Sequence, residues 1–249
     1  ARAAALASEA ESRSTGDAQL QTQVTQVLAA TNENAAAIQN ESTGRTNADS
    51  SLATQINTVV AQNAKTVPNL IRSAGEGATS QPAGWANGII RALDGSVLYA
   101  GTRSWNIVRF NLDGSVDVAA NFDVFGDASQ AAKFVTELSK GTAGQVVIVF
   151  TVDEPQSNVS DAMKQVLYSV GASPQIINNL KYRSAYILVG YVGAGQNGGI
   201  ERYAGVTDSD PNAWTEYTLQ MVNNRPAGLD DTKFAQAIVD AESQARVSG

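Results

Sequence analysis

The feature that most constrains this chain is an internal repeat in its polar N-terminal segment. Residues 9–29 return 32 positions later as residues 41–61, with eight identical pairs that include Glu9 with Glu41 and Leu20 with Leu52. A recurring polar module of this length is typical of elongated, modular proteins, and it predicts a spacer rather than a globular domain.

Within the repeat, side chains recur at alternating spacings of four and three residues, the a/d pattern of helices that bury a narrow stripe. A single polar helix cannot bury such a stripe alone. The pattern predicts a parallel, trimeric α-helical coiled coil over residues 1–66, although a flexible Ala/Ser/Gln-rich linker is the alternative. The predicted trimer core consists of Leu20, Val24, Val27, Asn34, Ile38, Leu52, Ile56, Val59 and Asn63.

The repeat length and the C-terminus extend this prediction. Thirty-two residues are four heptads plus four, a stutter that locally unwinds a left-handed supercoil. Polar seam residues such as Asn34 would fix register and chain number. Glu242 and Arg246 repeat the spacing of Glu9 and Arg13, so residues 227–249 are predicted to begin a second stalk. We expect the chain to be a piece of a longer fibre.

Composition excludes several function classes. The net charge of −7 over 249 residues argues against a nucleic-acid partner, and no apolar run is long enough for a membrane span. The chain has no Cys and no His, which removes the usual general base, metal ligand and nucleophile pairs. Residues 208–211, "DSDP", lack the spacing of a calcium loop and predict a turn. We expect no enzyme activity, no cofactor and no metal.

Between residues 67 and 226 the sequence changes to short apolar runs separated by turn residues. Two copies of "LDGSV", at 93–97 and 112–116, predict hairpins with strands at 88–93 and 96–100 and at 104–111 and 115–122. Further apolar runs predict later strands, in "QVVIVFTV", "SAYILVGYV" and "WTEYTLQMV". The three tryptophans are predicted to be core residues or contacts between domain copies: Trp85, Trp105 and Trp214.

Two helices are predicted between these strands. The first follows a cap at Asp127 or Ser129 and ends at Gly141, with an inward face of Ala132, Val135 and Leu138. The second ends at Gly171, and its apolar face consists of Val159, Met163, Val166, Leu167 and Val170. Residues 67–226 are therefore predicted to form an α/β (α+β) domain with hairpins and two helices, inserted between stalk segments.

The stalk resembles a known family. "ARAAALASEAESRSTGDAQLQTQV" and "NAAAIQNESTGRTNADSSLATQINTV" are similar to stalk repeats in the central tail fibre, or host-specificity protein, of lambda-like siphophages. That resemblance implies a homotrimer at the virion tail tip that meets the bacterial envelope. A bacterial trimeric adhesin stalk would have a similar sequence.

The inserted domain resembles a second family. "SWNIVRFNLDGSV", "FDVFGD", "GQVVIVFTVDEP", "LYSVGAS" and "LKYRSAYILVGYVG", in this order from Gly101 to Gly195, are similar to the interleukin-like EMT inducer domain. In a glycosyltransferase-stem member, the Asp of the "DE" motif and the Arg of the "YR" motif lie in a sugar-binding site. The resemblance thus implies a site at Asp153 and Arg183, with Tyr186 as a stacking aromatic. One alternative is that Asp153 accepts hydrogen bonds from loop amides or from the N-terminus of the next helix. Another is that Asp153 and Arg183 form a structural ion pair.

The sequence therefore predicts a structural and adhesive segment of a phage tail-tip fibre that displays a domain for contact with the host envelope, with envelope carbohydrate as the candidate ligand. The loops around residues 75–84 and 193–212 are the natural surface for a receptor. A polysaccharide-degrading fibre domain is the enzymatic alternative. Asp153 and Glu154 do not favour it, since adjacent strand residues point to opposite faces and cannot form a glycosidase pair.

Overall fold

The structure is a computed structural model that describes residues 1–76, 88–206 and 212–230, together with residues 232, 235, 236, 238 and 239. The chain divides into two units, Ala1–Val60 and Ala61–Gly249. Trp85, the "DSDP" segment and the predicted heptad positions at Glu242 and Arg246 lie outside the described residues.

The N-terminal segment is one continuous helix, α1, from Arg2 to Thr66. Ala, Gln, Glu and Arg favour helix, no proline interrupts the segment, and several Thr hydroxyls bond back to the carbonyl four residues earlier. Ion pairs at i,i+4 join Arg13 to Glu9 and Arg45 to Glu41, which adds a few tenths of a kcal/mol each, about 0.3–0.5.

The structure contradicts the predicted coiled coil, because coiled-coil segments are not evident in the residues that it describes. No residue of α1 is buried, and every predicted core position is exposed: Leu20, Val24, Val27, Asn34, Ile38, Leu52, Ile56, Val59 and Asn63. The apolar side chains are also spread around the helix, since Leu6, Leu28 and Val60 are equally exposed. A 4-3 spacing in a mostly polar helix therefore predicted a buried seam that the fold does not show.

The predicted second stalk is also not evident at its start. Leu229 is buried, and Ile238 is half-buried against the same apolar cluster. Residues 232, 235, 236, 238 and 239 are helical, but the side chain of Ile238 packs near Gly144 and Leu112 of the globular unit. Leu229 and Ile238 therefore contribute to the domain core.

The globular unit is a mixed sheet with helices on one side. Its first strands are β1 (Pro68–Ala74), β2 (Gly88–Ala92), β3 (Val97–Ala100), β4 (Ser104–Phe110) and β5 (Val116–Phe122). Then come α2 (Gln130–Ser139), β6 (Val146–Val152), α3 (Asp161–Ser169), α4 (Pro174–Ile177) and β7 (Ala185–Tyr191). The last elements are β8 (Ile200–Ala204), β9 (Trp214–Thr218) and a short hairpin of β10 (Met221–Val222) and β11 (Arg225–Pro226).

The nine longer strands among the described residues form one branched sheet. One part runs β5-β4-β6-β7-β8, and all of its neighbours are antiparallel. The other part runs β3-β2-β1-β9. The two parts meet through a single parallel pair, Ala74 of β1 with Val152 of β6. The predicted class is thus corrected to a mixed nine-stranded sheet with a long N-terminal helix.

Two apolar clusters lie on opposite faces of β4, β6 and β7. One cluster packs these strands against α2 and α3, and it includes Trp105, Phe134, Val149, Met163 and Tyr186. The other packs them against β1 and β2, and it includes Ile71, Ile90, Ile148 and Phe150. Because β6 and β7 are covered on both faces, their sequences are continuous apolar runs rather than alternating ones.

The two "LDGSV" turns have the same geometry and lie at one end of the sheet. In each, the Asp side chain (Asp94 or Asp113) accepts hydrogen bonds from the Ser two residues later. The first turn also receives the end of α1, since the N–H groups of Leu93 and Asp94 donate to the carbonyls of Val67 and Ala64. The chain therefore enters the domain at the end of the sheet where β6 begins.

Candidate functional site

The candidate site lies at the opposite end of the sheet, where β6 finishes. Ser104 of β4 is paired with Val152 of β6, so Arg103 lies opposite Asp153. On the other edge, β7 pairs with β6 as far as Phe150, and Arg183 lies just before β7 begins. The register thus brings Arg103, Asp153 and Arg183 to one rim.

The sheet divides at this rim because β1 and β7 share one edge of β6. At the branch, the hydroxyls of Ser73 and Thr151 accept a hydrogen bond from a β7 backbone N–H in place of a backbone carbonyl. The Tyr186 N–H donates to Ser73 Oγ at 2.9 Å and to Thr151 Oγ1 at 3.0 Å. The Asp153 N–H donates to the carbonyl of Ala74 at 3.0 Å. A branch of this kind leaves a crevice beyond the strand ends, where α/β sheets commonly bind ligands.

Three residues at the rim have a left-handed backbone and a buried polar atom without a hydrogen bond. The φ angles are 74° for Ser104, 60° for Asp153 and 58° for Arg183. The atoms are Ser104 Oγ, Asp153 Oδ1 and Arg183 Nε. Such conformations in non-glycine residues cost about 1–3 kcal/mol each and cluster at functional sites. The coincidence of backbone strain and unused hydrogen-bonding capacity singles out this rim.

Arg183 faces three acceptors, none of which it engages closely. Its Nε is 3.4 Å from Asp153 Oδ1, its Nη2 is 3.6 Å from Glu76 Oε2, and its Nη1 donates to Asn212 Oδ1 at 3.3 Å. The guanidinium also lies over the exposed ring of Tyr182, 5.2 Å from its centroid. The guanidinium is held in place without a short charge-assisted hydrogen bond to Asp153.

Burial is the main reason that the pKa of Asp153 is raised above its ordinary value. The negative charge of Glu76 adds to this effect, while Arg183 and Arg103 oppose it. The Asp153 side chain is 15 % exposed. A carboxylate in this environment gains from any ligand that donates a hydrogen bond to it.

The neighbouring Glu154 has a different role. It is 1 % exposed, and its two oxygens accept hydrogen bonds from the N–H groups of Gln156 at 2.7 Å and Ser157 at 2.9 Å. Glu154 therefore holds the loop after β6. The sequence expectation was that these two adjacent carboxylates point to opposite faces, and in the structure they have different contacts.

Tyr186 is not brought to the rim. Its ring is fully buried, edge-on to Trp105 at 6.1 Å, and its hydroxyl donates to Glu201 Oε1 at 2.6 Å. The ring cannot stack on a ligand at the surface, which corrects the role implied by the resemblance. Tyr186 lies on β7, which is covered on both faces, so a side chain on either face of this strand is in the core. Exposed aromatic rings near the rim are instead Tyr182 and Phe125.

A cleft of about 400 Å³ opens at the rim, between the ends of β6 and β4. It is lined by Glu76, Thr102, Arg103, Asn121, Asp123, Val152 and Asp153. Sequence reasoning did not name Glu76, Arg103, Asp123 or Asn212 as site residues, although Glu76 and Asn212 lie in the loops around 75–84 and 193–212 that it expected to form the receptor surface. Glu76 follows β1, which was not predicted as a strand, and Arg103 and Asp123 flank a predicted hairpin. The ladder of that hairpin pairs Trp105 with Phe122, so it would have placed Arg103 and Asp123 within one residue of each other at the end of the two strands.

The described residues contain no group of three or more acidic, Cys or His side chains that could hold a metal ion. None of the helices in the described part of the chain is long and apolar enough to cross a membrane.

Comparison with known proteins identifies a family that matches part of the chain. None of the curated proteins matches the chain. The interleukin-like EMT inducer family matches residues 103–194, which run from Arg103 at the rim to the loop after β7. Asp153 and Arg183 fall within this match, whereas Glu76 and Asn212 lie outside it. Residues 103–194 of this chain are an interleukin-like EMT inducer domain.

Proposed function

We propose that the globular unit is a carbohydrate-binding module, with Asp153 and Arg183 as its principal contacts. The observation that carries this proposal is the pair of unused, buried hydrogen-bonding atoms, Asp153 Oδ1 and Arg183 Nε, 3.4 Å apart at the rim. A hydroxyl can donate to the first atom and accept from the second. Sugars present hydroxyls in this way, and hydrogen bonds to charged groups are worth about 1.5–3 kcal/mol each.

The surroundings support a sugar over a more apolar ligand. The cleft lining is polar apart from Val152, and the exposed ring of Tyr182 lies beside Arg183. Aromatic rings can pack on the C–H face of a sugar, while charged groups bind its hydroxyls.

The wider context belongs to the same proposal. The repeat in residues 1–66 favours a fibre, and we propose an adhesive segment of a siphophage tail tip that contacts host-envelope glycans. The tail-tip location and the homotrimer stay predictions. Sedimentation equilibrium would measure the number of chains in the assembly and so test the homotrimer. Single-site sugar contacts are weak, so several copies would gain from avidity. The alternative is that the same module belongs to a bacterial adhesin.

The test is binding of the chain to immobilised glycans that include envelope polysaccharides and neutral and acidic oligosaccharides. We expect binding that is lost in Asp153→Asn and in Arg183→Gln. The matched control is Glu41→Gln with Arg45→Ala, which removes an exposed ion pair of α1 and should leave binding intact. Binding that survives both rim variants would refute this site. Release of shortened glycan by the intact protein would favour the degrading enzyme over the adhesin.

A further inference from the structure

The cleft has a second half, which neither the resemblance nor the proposed site uses. It is formed by Arg103 and Asp123, at the adjoining ends of β4 and β5, with Phe125 beside them. Arg103 Nε is 3.0 Å and 3.1 Å from the two Asp123 oxygens, and Nη2 also donates to Asp123 Oδ2. The Arg103 guanidinium lies 5.1 Å from the centroid of the Phe125 ring.

This arrangement has the same chemistry as the first half of the cleft. There, Arg183 faces Asp153 and lies over Tyr182. In each half, a guanidinium faces a carboxylate and covers a partly exposed ring, with Phe125 38 % and Tyr182 48 % exposed. The rim therefore repeats one set of groups suited to a hydroxyl-rich ligand.

The second half is preorganised. The Gly126 N–H donates to Asp123 Oδ1 at 3.0 Å, and a Cβ at Gly126 would come within 2.7 Å of Arg103 Nη2 and of Asp123. Glycine thus lets the loop close tightly on the ion pair. Arg103 is the main reason that the pKa of Asp123 is lowered. A pair held in this way keeps its geometry when a ligand binds.

Free hydrogen-bonding groups remain on this side of the cleft. Within the described residues, Arg103 Nη1 and the Thr102 hydroxyl make no hydrogen bond, although both residues line the cleft. Because Arg103 lies opposite Asp153 on the neighbouring strand, the two halves are about one strand spacing apart, roughly 5 Å. One ligand can therefore reach both halves.

The charge of the cleft restricts the ligand further. The ionisable groups that line the cleft are three carboxylates, Glu76, Asp123 and Asp153, and the guanidinium of Arg103. The guanidinium of Arg183 lies beside this lining, 3.6 Å from Glu76 and 3.4 Å from Asp153. Each guanidinium already faces a carboxylate, so no cation is left over for an acidic sugar. An additional negative charge would be repelled by Glu76 and by the desolvated Asp153.

We propose that Arg103, Asp123 and Phe125 form a second sugar subsite beside Asp153 and Arg183, and that the ligand is a neutral oligosaccharide of at least two units. This inference rests on the proposed function and specifies its ligand. Arg103 Nη1 and Thr102 bind hydroxyls of the second unit, and the exposed edge of Phe125 packs on its C–H face.

The test uses calorimetric titration of the chain with the mono-, di- and trisaccharides of glucose, galactose, mannose and N-acetylglucosamine, and with glucuronic acid-containing counterparts. For at least one neutral series, we expect Kd to fall about tenfold from the monosaccharide to the disaccharide. Arg103→Gln and Phe125→Ala should remove most of this gain and leave the monosaccharide Kd within about twofold. Arg202→Gln is the matched control, because Arg202 also stacks on an aromatic ring, Tyr217, but does not line the cleft.

Several results would overturn the inference. Equal Kd values for mono- and disaccharides, or tighter binding of the acidic counterparts, would each refute a neutral two-unit site. So would an Arg103→Gln variant that weakens monosaccharide and disaccharide equally, or one that weakens neither. If Asp153→Asn abolishes binding and Arg103→Gln does not change it, the proposed function stands and the second subsite is refuted. No binding of any probe would refute both.

Discussion

Replacement of Asp153 by Asn should abolish glycan binding without lowering the free energy of unfolding. The pKa of Asp153 is raised chiefly by burial, so its ionised form is less favourable in the folded protein than in the unfolded chain. Removing the charge at pH 7 should therefore raise the free energy of unfolding. The gain is small, about 0.5 kcal/mol, because the attraction to Arg183 and Arg103 is lost as well.

The backbone of Asp153 determines which substitution is informative. Its φ of 60° is tolerated by Asn, whereas a residue such as Ala pays about 1–2 kcal/mol there. Asp153→Ala should thus be less stable than Asp153→Asn for a reason unrelated to charge. With a urea m value of about 2 kcal/mol/M, the Asn variant should shift the unfolding midpoint upward by roughly 0.2 M.

The pH dependence of this effect has a definite sign. The folded-state pKa is raised, so the penalty of the ionised carboxylate is fully present above that pKa and disappears as the pH falls toward the ordinary value. The difference between Asp153→Asn and the parent protein should therefore shrink on acidification. Urea unfolding followed by circular dichroism at several pH values measures it.

Asp117→Asn provides the matched comparison. Asp117 accepts a 2.7 Å hydrogen bond from Arg109, whose side chain is 4 % exposed, so loss of its charge should destabilise the domain by about 2 kcal/mol. A loss of similar size in Asp153→Asn would refute the reasoning. So would a difference that grows as the pH falls.

Two further predictions concern neighbours of the site. Glu154→Gln should lower the free energy of unfolding by about 1–3 kcal/mol, because the amide cannot accept from both the Gln156 and Ser157 N–H groups. It should leave glycan binding unchanged. Urea unfolding measures the stability and calorimetry the binding, and an unchanged stability would contradict the prediction. Tyr186→Phe removes the donor to Glu201 and should cost about 1.5–3 kcal/mol in thermal unfolding with no loss of glycan binding. A Tyr186→Phe variant that is fully stable but fails to bind would place its hydroxyl at the ligand instead.

Local patterns predicted the hairpins and most helix and strand positions. Asp-Gly turns between apolar runs identified β2 to β5 within about a residue, because the turn and the strand alternation are both local. For α3, the predicted inward residues Met163, Leu167 and Val170 are buried. In α2 the predicted face was partly wrong, because Ala132 is exposed and Phe134 is buried instead.

Other elements had no clear local signal. β1, with its internal Asn69, Arg72 and Ser73, does not read as a buried strand, yet Arg72 is 1 % exposed and pairs with Glu216. The 4-3 spacing in α1 was a local pattern as well, but burial of a stripe needs a second surface that the sequence of one helix does not specify.

The sequence alone predicted the helical N-terminal segment and the hairpins, and family resemblance implied that Asp153 lies with Arg183. The expected domain limits near residues 67 and 226 stay predictions. The tertiary structure decided that Tyr186 is buried and that Glu76, Arg103, Asp123 and Asn212 join the rim. Turns and helices depend on neighbours in the chain. The rim depends on strand register and on the branch of the sheet at Val152, which bring together residues that are far apart in the sequence.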